Sequence, residues 1–147
     1  MADPETRYEP SVRRTYEGDG IVVHWEPALC IHVAACIRAL PGTFDPNARP
    51  WVDVDTASAD AIAAAIEGCP TGALSYARTD GADQEQPEVP TTIEARQNGP
   101  LFVRGELEIS DAQGITRHAT RAALCRCGAS ANKPYCDLSH RRIGFQG

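Results

Sequence analysis

The chain has 147 residues and a formal net charge of −6 at pH 7, with 42% hydrophobic and 23% charged residues. No apolar run approaches the roughly 18 residues of a membrane span, and the first residues lack the apolar centre of a signal peptide, so we expect a cytoplasmic protein. Its acidity and its lack of interleaved aromatic residues argue against nucleic-acid binding. In a reducing compartment, six cysteines favour metal or redox roles over a disulfide framework.

Short strands and helices alternate in the first half of the chain. Residues 1–19 are polar and predict an N-terminal arm or edge segment, and residues 20–78 predict a first domain. We predict strands at residues 20–26, 49–55 and 74–76 and helices at residues 31–40 and 59–67. Ser58 suits the N-cap of the second helix, and Gly68 suits its end.

A polar, proline-bearing stretch at residues 79–90 predicts a linker. Three strand-like runs follow it, at residues 91–97, 101–110 and 115–124. Gly105 predicts a β-bulge in the second run, and a hairpin turn is expected directly after that run. The sequence therefore predicts an α+β protein, with a small α/β N-terminal domain followed by a β-rich domain over residues 91–147.

The last predicted strand leads directly into a cluster of metal-ligating residues. Three cysteines and one histidine fall within 16 residues, at Cys125, Cys127, Cys136 and His140. A loop this short cannot bury a core, so its soft ligands indicate a metal. Two thiolates one residue apart sit awkwardly on one zinc ion, whose paired ligands are usually about two to four residues apart. They sit more easily on one iron of a two-iron cluster, although a Cys3His zinc site stays open.

This stretch resembles the CDGSH, or NEET-type, iron–sulfur motif. The matching positions are Cys125, Cys127, Ser130, Pro134, Cys136, Asp137, Ser139 and His140. The resemblance extends to the β-rich region before the motif. It implies a [2Fe-2S] cluster with Cys125, Cys127, Cys136 and His140 as ligands. Leu138 stands where the family has glycine, and leucine is costly there if the position needs a positive φ.

The other three cysteines form a second candidate site. They are Cys30, Cys36 and Cys69, the last of which precedes a proline. Bacterial ferredoxins bind a cubane cluster through a C-x2-C-x2-C run and a remote C-P. In that pattern Cys30 and Cys36 take the outer positions, Val33 takes the middle one and Cys69 supplies the remote thiolate. Three thiolates with an apolar residue at the fourth corner suit a [3Fe-4S] cluster.

Residues 20–76 resemble the mono-cluster ferredoxins and, more closely, the divergent single-cluster domain often joined to CDGSH segments. The resemblance implies a ferredoxin-like N-terminal domain. In such domains a histidine recurs two positions after the first cysteine, as His32 does here. A [4Fe-4S] cluster completed by His32 or by an outside ligand is therefore the alternative. It also stays open that His32 is only a polar loop residue and that the three cysteines are buried structural thiols.

Two clusters of different type in one small chain predict a non-enzymatic electron-transfer protein that docks to a reductase or acceptor protein. An iron–sulfur carrier or redox sensor and a zinc-stabilised interaction module are the alternatives. The sequence carries no catalytic triad, phosphate loop or dinucleotide motif. Both a monomer and a homodimer stay open. Because one ligand is an imidazole, the C-terminal cluster should be acid-labile and should have a higher potential than an all-thiolate cluster.

Overall fold

The computed structural model describes residues 13–147, which form two three-stranded antiparallel sheets and three short α-helices. The first sheet has the order β1-β2-β3, with β1 at Arg14–Glu17, β2 at Ile21–Trp25 and β3 at Leu74–Arg78. The second has the order β4-β5-β6, with β4 at Thr92–Ala95, β5 at Leu101–Ser110 and β6 at Thr116–Leu124. The helices are α1 at Ala35–Ala39, α2 at Ala59–Glu67 and α3 at Ser139–Arg142, and a 3-10 helix spans Pro27–Leu29. The predicted α+β class is confirmed.

The first sheet packs one face against α2. Ile21 and Val23 on β2 are fully buried, as are Ile62 and Ile66 on α2, because the twofold repeat of a strand and the 3.6-residue repeat of a helix each place two residues on one face. The predicted bounds of α2 are confirmed. The Ser58 hydroxyl accepts a hydrogen bond from the Ala61 N–H at 3.1 Å, which caps the first turn.

The second sheet is a long β5–β6 hairpin with β4 on its outer edge. The predicted bulge at Gly105 is confirmed, because the register of the hairpin shifts between Arg104 and Leu107. Gly105 has a φ of +154°, and a Cβ there would collide with Thr91. The hairpin turn begins at Asp111, whose carboxylate accepts two backbone N–H groups of the turn. The hairpin carries the chain directly to Cys125.

Two sequence predictions were wrong in the first half. The helix predicted at residues 31–40 begins only at Ala35, because His32 and Ala34 adopt left-handed backbone with φ of 58° and 66°. The strand predicted at residues 49–55 is reduced to one bridge between Phe44 and Val52.

The predicted N-terminal arm lies partly outside the described residues, at residues 1–12, and its residues 14–17 form the edge strand β1. Among the described residues, helix α3 was not predicted. No helix within residues 13–147 has the length and apolar character needed to cross a membrane.

Hydrogen bonds join the second half of the chain to the first half. Arg121 on β6 is 2% exposed, and its guanidinium donates to the carbonyls of Cys69 at 2.6 Å and Leu74 at 2.9 Å. The same guanidinium makes a two-pronged contact with the Glu85 carboxylate, with both N–O distances at 2.9 Å. Glu85 belongs to the segment at residues 79–90 that we predicted as a linker. This segment therefore packs against the second sheet.

Candidate metal centres

The C-terminal motif, residues 125–140, folds back on itself at the end of β6 and is called the hook below. The N–H of Cys125 donates to the Pro134 carbonyl at 2.8 Å, and the N–H of Cys136 donates to the Ala123 carbonyl at 2.9 Å. These bonds bring the two ends of the hook side by side. Helix α3, which begins at Ser139, then carries His140 in its first turn, four residues after Cys136.

The four predicted ligands of the hook line one small pocket and lie in two pairs. The Sγ atoms of Cys125 and Cys127 are 3.9 Å apart. The Cys136 Sγ is 3.5 Å from the His140 Nδ1. Among residues 13–147, no three His, Cys, Asp or Glu side chains are placed to share a single metal ion. Two pairs of soft donors fit a two-iron cluster, in which each iron takes two protein ligands, better than they fit one tetrahedral zinc.

Backbone N–H groups and the Asp137 side chain hold the hook in this shape. The N–H of Ala129 donates to the Cys127 Sγ, and the N–H of Leu138 donates to the Cys136 Sγ, both at 3.4 Å. The two Asp137 oxygens accept the N–H groups of Ala131 at 2.9 Å and Ser139 at 3.0 Å. Burial alone would raise the pKa of Asp137, but the Ser139 and Ala131 donors together hold it below its ordinary value.

Two further features of the hook bear on its chemistry. Leu138 has a φ of 71°, so the position where the motif usually carries glycine is left-handed here. Partial burial and the positive charge of Arg141 lower the pKa of His140, which favours the neutral imidazole that a metal needs. Burial raises the pKa of the Cys136 thiol, so a metal has to displace its proton.

The three N-terminal cysteines line one cavity of about 580 Å³ with a mainly apolar wall. Cys30 follows the 3-10 helix, Cys36 lies in the first turn of α1, and Cys69 directly follows Gly68 at the end of α2. His32 and Val33 line the same cavity. In a three-iron or four-iron cluster each thiolate binds a different iron, so three thiols spread around a cavity fit such a cluster.

The environments of the three thiols differ. Burial raises the pKa of Cys30, and burial together with the nearby Cys69 raises the pKa of Cys36 to about 11. Burial alone would also raise the pKa of Cys69, but the Thr71 hydroxyl, two backbone N–H groups and the Arg121 guanidinium lower it overall. The Thr71 Oγ1 lies 3.5 Å from the Cys69 Sγ. Of the three thiols, Cys69 is therefore the one whose surroundings most favour the thiolate.

His32 lies beside the first of these thiols. Its Nδ1 is 3.8 Å from the Cys30 Sγ, and its left-handed backbone turns the chain between Cys30 and α1. This position next to a thiol is compatible with a ligand and with a polar loop residue.

Two small buried apolar clusters include residues from, or next to, both candidate sites. Ile31, which follows Cys30, packs with Ala123 and Cys136 in one buried cluster. Tyr135 packs with Leu29 and Ala73 in a second cluster, against which Cys30 and Cys69 also pack. A predicted ligand of one site thus shares a buried cluster with the residue that follows a predicted ligand of the other site.

Comparisons with known proteins agree with this arrangement. Residues 16–79 match a family model described as "Divergent 4Fe-4S mono-cluster", and residues 98–141 match one described as "Iron-binding zinc finger CDGSH type". Fold and sites thus define an iron–sulfur cluster-binding protein. The chain belongs to the divergent mono-cluster family and carries a CDGSH-type domain after it.

Curated relatives match over less than half of this chain. "Uncharacterized protein YjdI" of Escherichia coli (strain K12) is 33% identical over 63 residues, which are 43% of this chain and 83% of YjdI. The protein of the same name from Escherichia coli O157:H7 matches to the same extent. The predicted resemblance to both families is confirmed, and the individual ligands stay predictions.

Sequence reasoning missed the residues that surround the N-terminal site. Arg121 and Thr71, which act on Cys69, and the two tryptophans, which line the cavity, carry no motif. Their roles depend on tertiary contacts between residues far apart in the chain. An isolated arginine in a predicted strand gives no signal of such a contact.

Proposed function

We propose that this protein transfers electrons through two iron–sulfur clusters. Cys125 and Cys127 bind one iron of a [2Fe-2S] cluster, and Cys136 and His140 bind the other. Cys30, Cys36 and Cys69 hold a [3Fe-4S] cluster, or a [4Fe-4S] cluster if His32 or an outside ligand supplies the fourth position. The protein is not an enzyme, and it acts in the cytoplasm with a reductase and an acceptor protein.

The observation that carries this proposal is the shared apolar packing of the two sites. Ile31 is joined by a peptide bond to Cys30 and belongs to the same buried cluster as Cys136. An electron can therefore pass from one cluster to the other through packed protein, without a movement of the chain. A protein that only stored or delivered a cluster would not need two different clusters held this close together.

The donor set also supports the difference in potential that a relay needs. A neutral imidazole replaces one thiolate at the C-terminal site, so its cluster carries less negative charge and accepts an electron more readily than an all-thiolate cluster. The N-terminal site offers three thiolates in a mainly apolar cavity, where added negative charge is costly.

Iron and sulfide analysis of anaerobically purified protein, combined with EPR, tests this proposal. We expect two distinct signals in the wild-type protein, both reversible over repeated reduction and oxidation. Reduction by a flavin reductase with turnover would support electron transfer. Colourless protein with one zinc per chain would contradict it. Delivery of iron and sulfide to an apo-acceptor without reversible reduction would favour the carrier alternative.

A further inference from the structure

A buried indole N–H lies beside the N-terminal cysteines without an acceptor. Trp25 ends strand β2 and lines the same cavity as Cys30. Its Nε1 is buried and has no hydrogen-bond partner. A buried donor without an acceptor is costly, and most such groups in folded proteins are paired. The position therefore suggests that an acceptor is supplied when the cavity is filled.

The Cys30 sulfur is a candidate acceptor for this N–H. Trp25 and Cys30 pack against the same buried cluster of Leu29, Ala73 and Tyr135. The indole N–H already favours the Cys30 thiolate, although burial has the larger effect and raises the pKa of that thiol overall. A neutral thiol is a weak acceptor, whereas a thiolate bound to iron carries negative charge and accepts well.

We propose that the Trp25 indole N–H donates a hydrogen bond to the iron-bound Cys30 thiolate and thereby raises the reduction potential of the N-terminal cluster. This inference rests on the proposed function, because it needs a cluster in the N-terminal cavity. Reduction adds one electron to the cluster and increases the negative charge on its sulfur atoms. A donor to one of these atoms therefore stabilises the reduced state more than the oxidised state. Trp25 is a positioning and tuning residue, since it acts through Cys30.

Trp51 provides a matched control. Its ring lies edge-on to the Trp25 ring, with centroids 4.9 Å apart and an interplanar angle of 65°. Its Nε1 is also buried without a partner, and its side chain lines the same cavity. Among the described residues that pack against the Leu29, Ala73 and Tyr135 cluster, Trp25 and Cys30 are present and Trp51 is not. Trp51→Phe therefore removes a buried indole N–H from the same aromatic pair without removing the donor to Cys30.

The test is an EPR-monitored redox titration of the full-length, cluster-loaded protein and its Trp25→Phe and Trp51→Phe variants, with dithionite as the reductant. For Trp25→Phe we expect about a fivefold fall in the ratio of reduced to oxidised N-terminal cluster at a fixed ambient potential. With ~59 mV per tenfold for a one-electron couple, this fall is a downward shift of about 40 mV. The C-terminal cluster should keep its potential in both variants, and Trp51→Phe should lower the N-terminal potential by less than Trp25→Phe does.

Two results would overturn the inference while the proposed function stands. One is an unchanged N-terminal potential in loaded Trp25→Phe protein, and the other is an equal fall in Trp51→Phe protein, which would point to aromatic packing. Wild-type protein that binds no N-terminal cluster would overturn both the proposed function and the inference. Iron and sulfide counts before the titration distinguish these cases.

A second measurement keeps Trp25 in place and so does not require the Trp25→Phe variant to fold. The chain has two tryptophans, so in the Trp51→Phe variant grown with ¹⁵N-indole label only Trp25 carries the label. We expect the ENDOR spectrum of the N-terminal cluster, recorded in its half-integer-spin oxidation state, to show coupling to this nitrogen and to an exchangeable proton that is lost in D2O. A spectrum without the ¹⁵N coupling would contradict the hydrogen bond.

Discussion

The two candidate sites of this protein are built in opposite ways. The C-terminal hook takes its four donors from 16 consecutive residues and closes through its own backbone bonds. The N-terminal site takes its thiols from the segment that leads into α1, from α1 itself and from the loop after α2, and it lines a cavity with residues from several elements. A hook of this kind can be recognised from a short motif. A site of the second kind depends on the whole fold, including Arg121 from the other sheet.

The largest expected effect comes from removing one thiol of each site. Cys69→Ser should abolish the N-terminal EPR signal and keep the C-terminal one, and Cys127→Ser should do the reverse. The physical reason is that a neutral hydroxyl is a poor replacement for an iron-bound thiolate. Iron and sulfide counts with EPR on anaerobic protein check this result.

Loss of both clusters in either thiol variant would contradict the division into two separate sites. It would show that one cluster is needed to hold the ligands of the other. Ala129→Ser adds a hydroxyl at an exposed position of the hook and serves as a control that should keep both signals.

The next effect sharpens the contrast between a self-contained and a fold-dependent site. Arg121→Met removes the buried guanidinium and leaves the Glu85 carboxylate, 14% exposed, without its charged partner. We expect a loss of about 3 kcal/mol in the free energy of unfolding, because breaking a buried ion pair leaves an uncompensated charge. Urea unfolding of the loaded protein by linear extrapolation measures it.

Arg96→Met is the control for Arg121→Met. Arg96 pairs with Glu94 at 2.7 Å on the surface, with both side chains more than half exposed. Such a pair contributes at most about 1 kcal/mol. Equal losses in the two variants would contradict the view that Arg121 fastens the second sheet to the Cys69 loop.

The contrast also explains what sequence could predict. Helix α2 was predictable because Ser58, the alanine-rich run and Gly68 are local signals for a start, a body and an end. The helix at residues 31–40 was overextended because the left-handed conformations of His32 and Ala34 are set by the fold around the cavity. The hook was predictable as a candidate metal site from the spacing of its three cysteines and one histidine. The donors around Cys69 could not be predicted, because Arg121 reaches that loop only through tertiary packing.

The pH dependence should separate the two clusters. Burial and the charge of Arg141 lower the pKa of His140, so the imidazole stays neutral at pH values where an ordinary histidine would be protonated. The C-terminal cluster should therefore persist at neutral pH and be lost as the pH falls through that lowered pKa, where protons compete for the ligand nitrogen. His140→Cys should lower its potential and slow bleaching in acid by about tenfold, the equivalent of one pKa unit.

Visible absorbance followed after a jump to acid pH measures this effect. The N-terminal cluster, if it has no imidazole ligand, should bleach at the same pH in the wild-type protein and in His140→Cys. Loss of the C-terminal absorbance at the same pH and rate in both proteins would contradict the role of His140.

The smallest effect concerns Leu138, where the hook departs from the usual glycine. Its side chain packs against Ile31, Ala123 and Cys136, while its backbone is left-handed at a φ of 71°. Leu138→Gly and Leu138→Ala both remove this packing, so the loss is common to the two variants. Only the glycine variant also removes the cost of left-handed backbone. We expect Leu138→Gly to be more stable than Leu138→Ala by about 1 kcal/mol, despite the greater chain entropy of glycine when unfolded.

Urea unfolding of the two loaded Leu138 variants measures this difference. Equal stabilities, or a more stable alanine variant, would mean that the hook does not hold Leu138 in a left-handed conformation. Leu138→Gly should be less stable than the wild-type protein if packing against Ile31 contributes more than the backbone costs. That result would explain how leucine is tolerated here: the hook of this protein is packed against the N-terminal site, and the side chain at position 138 is part of that contact.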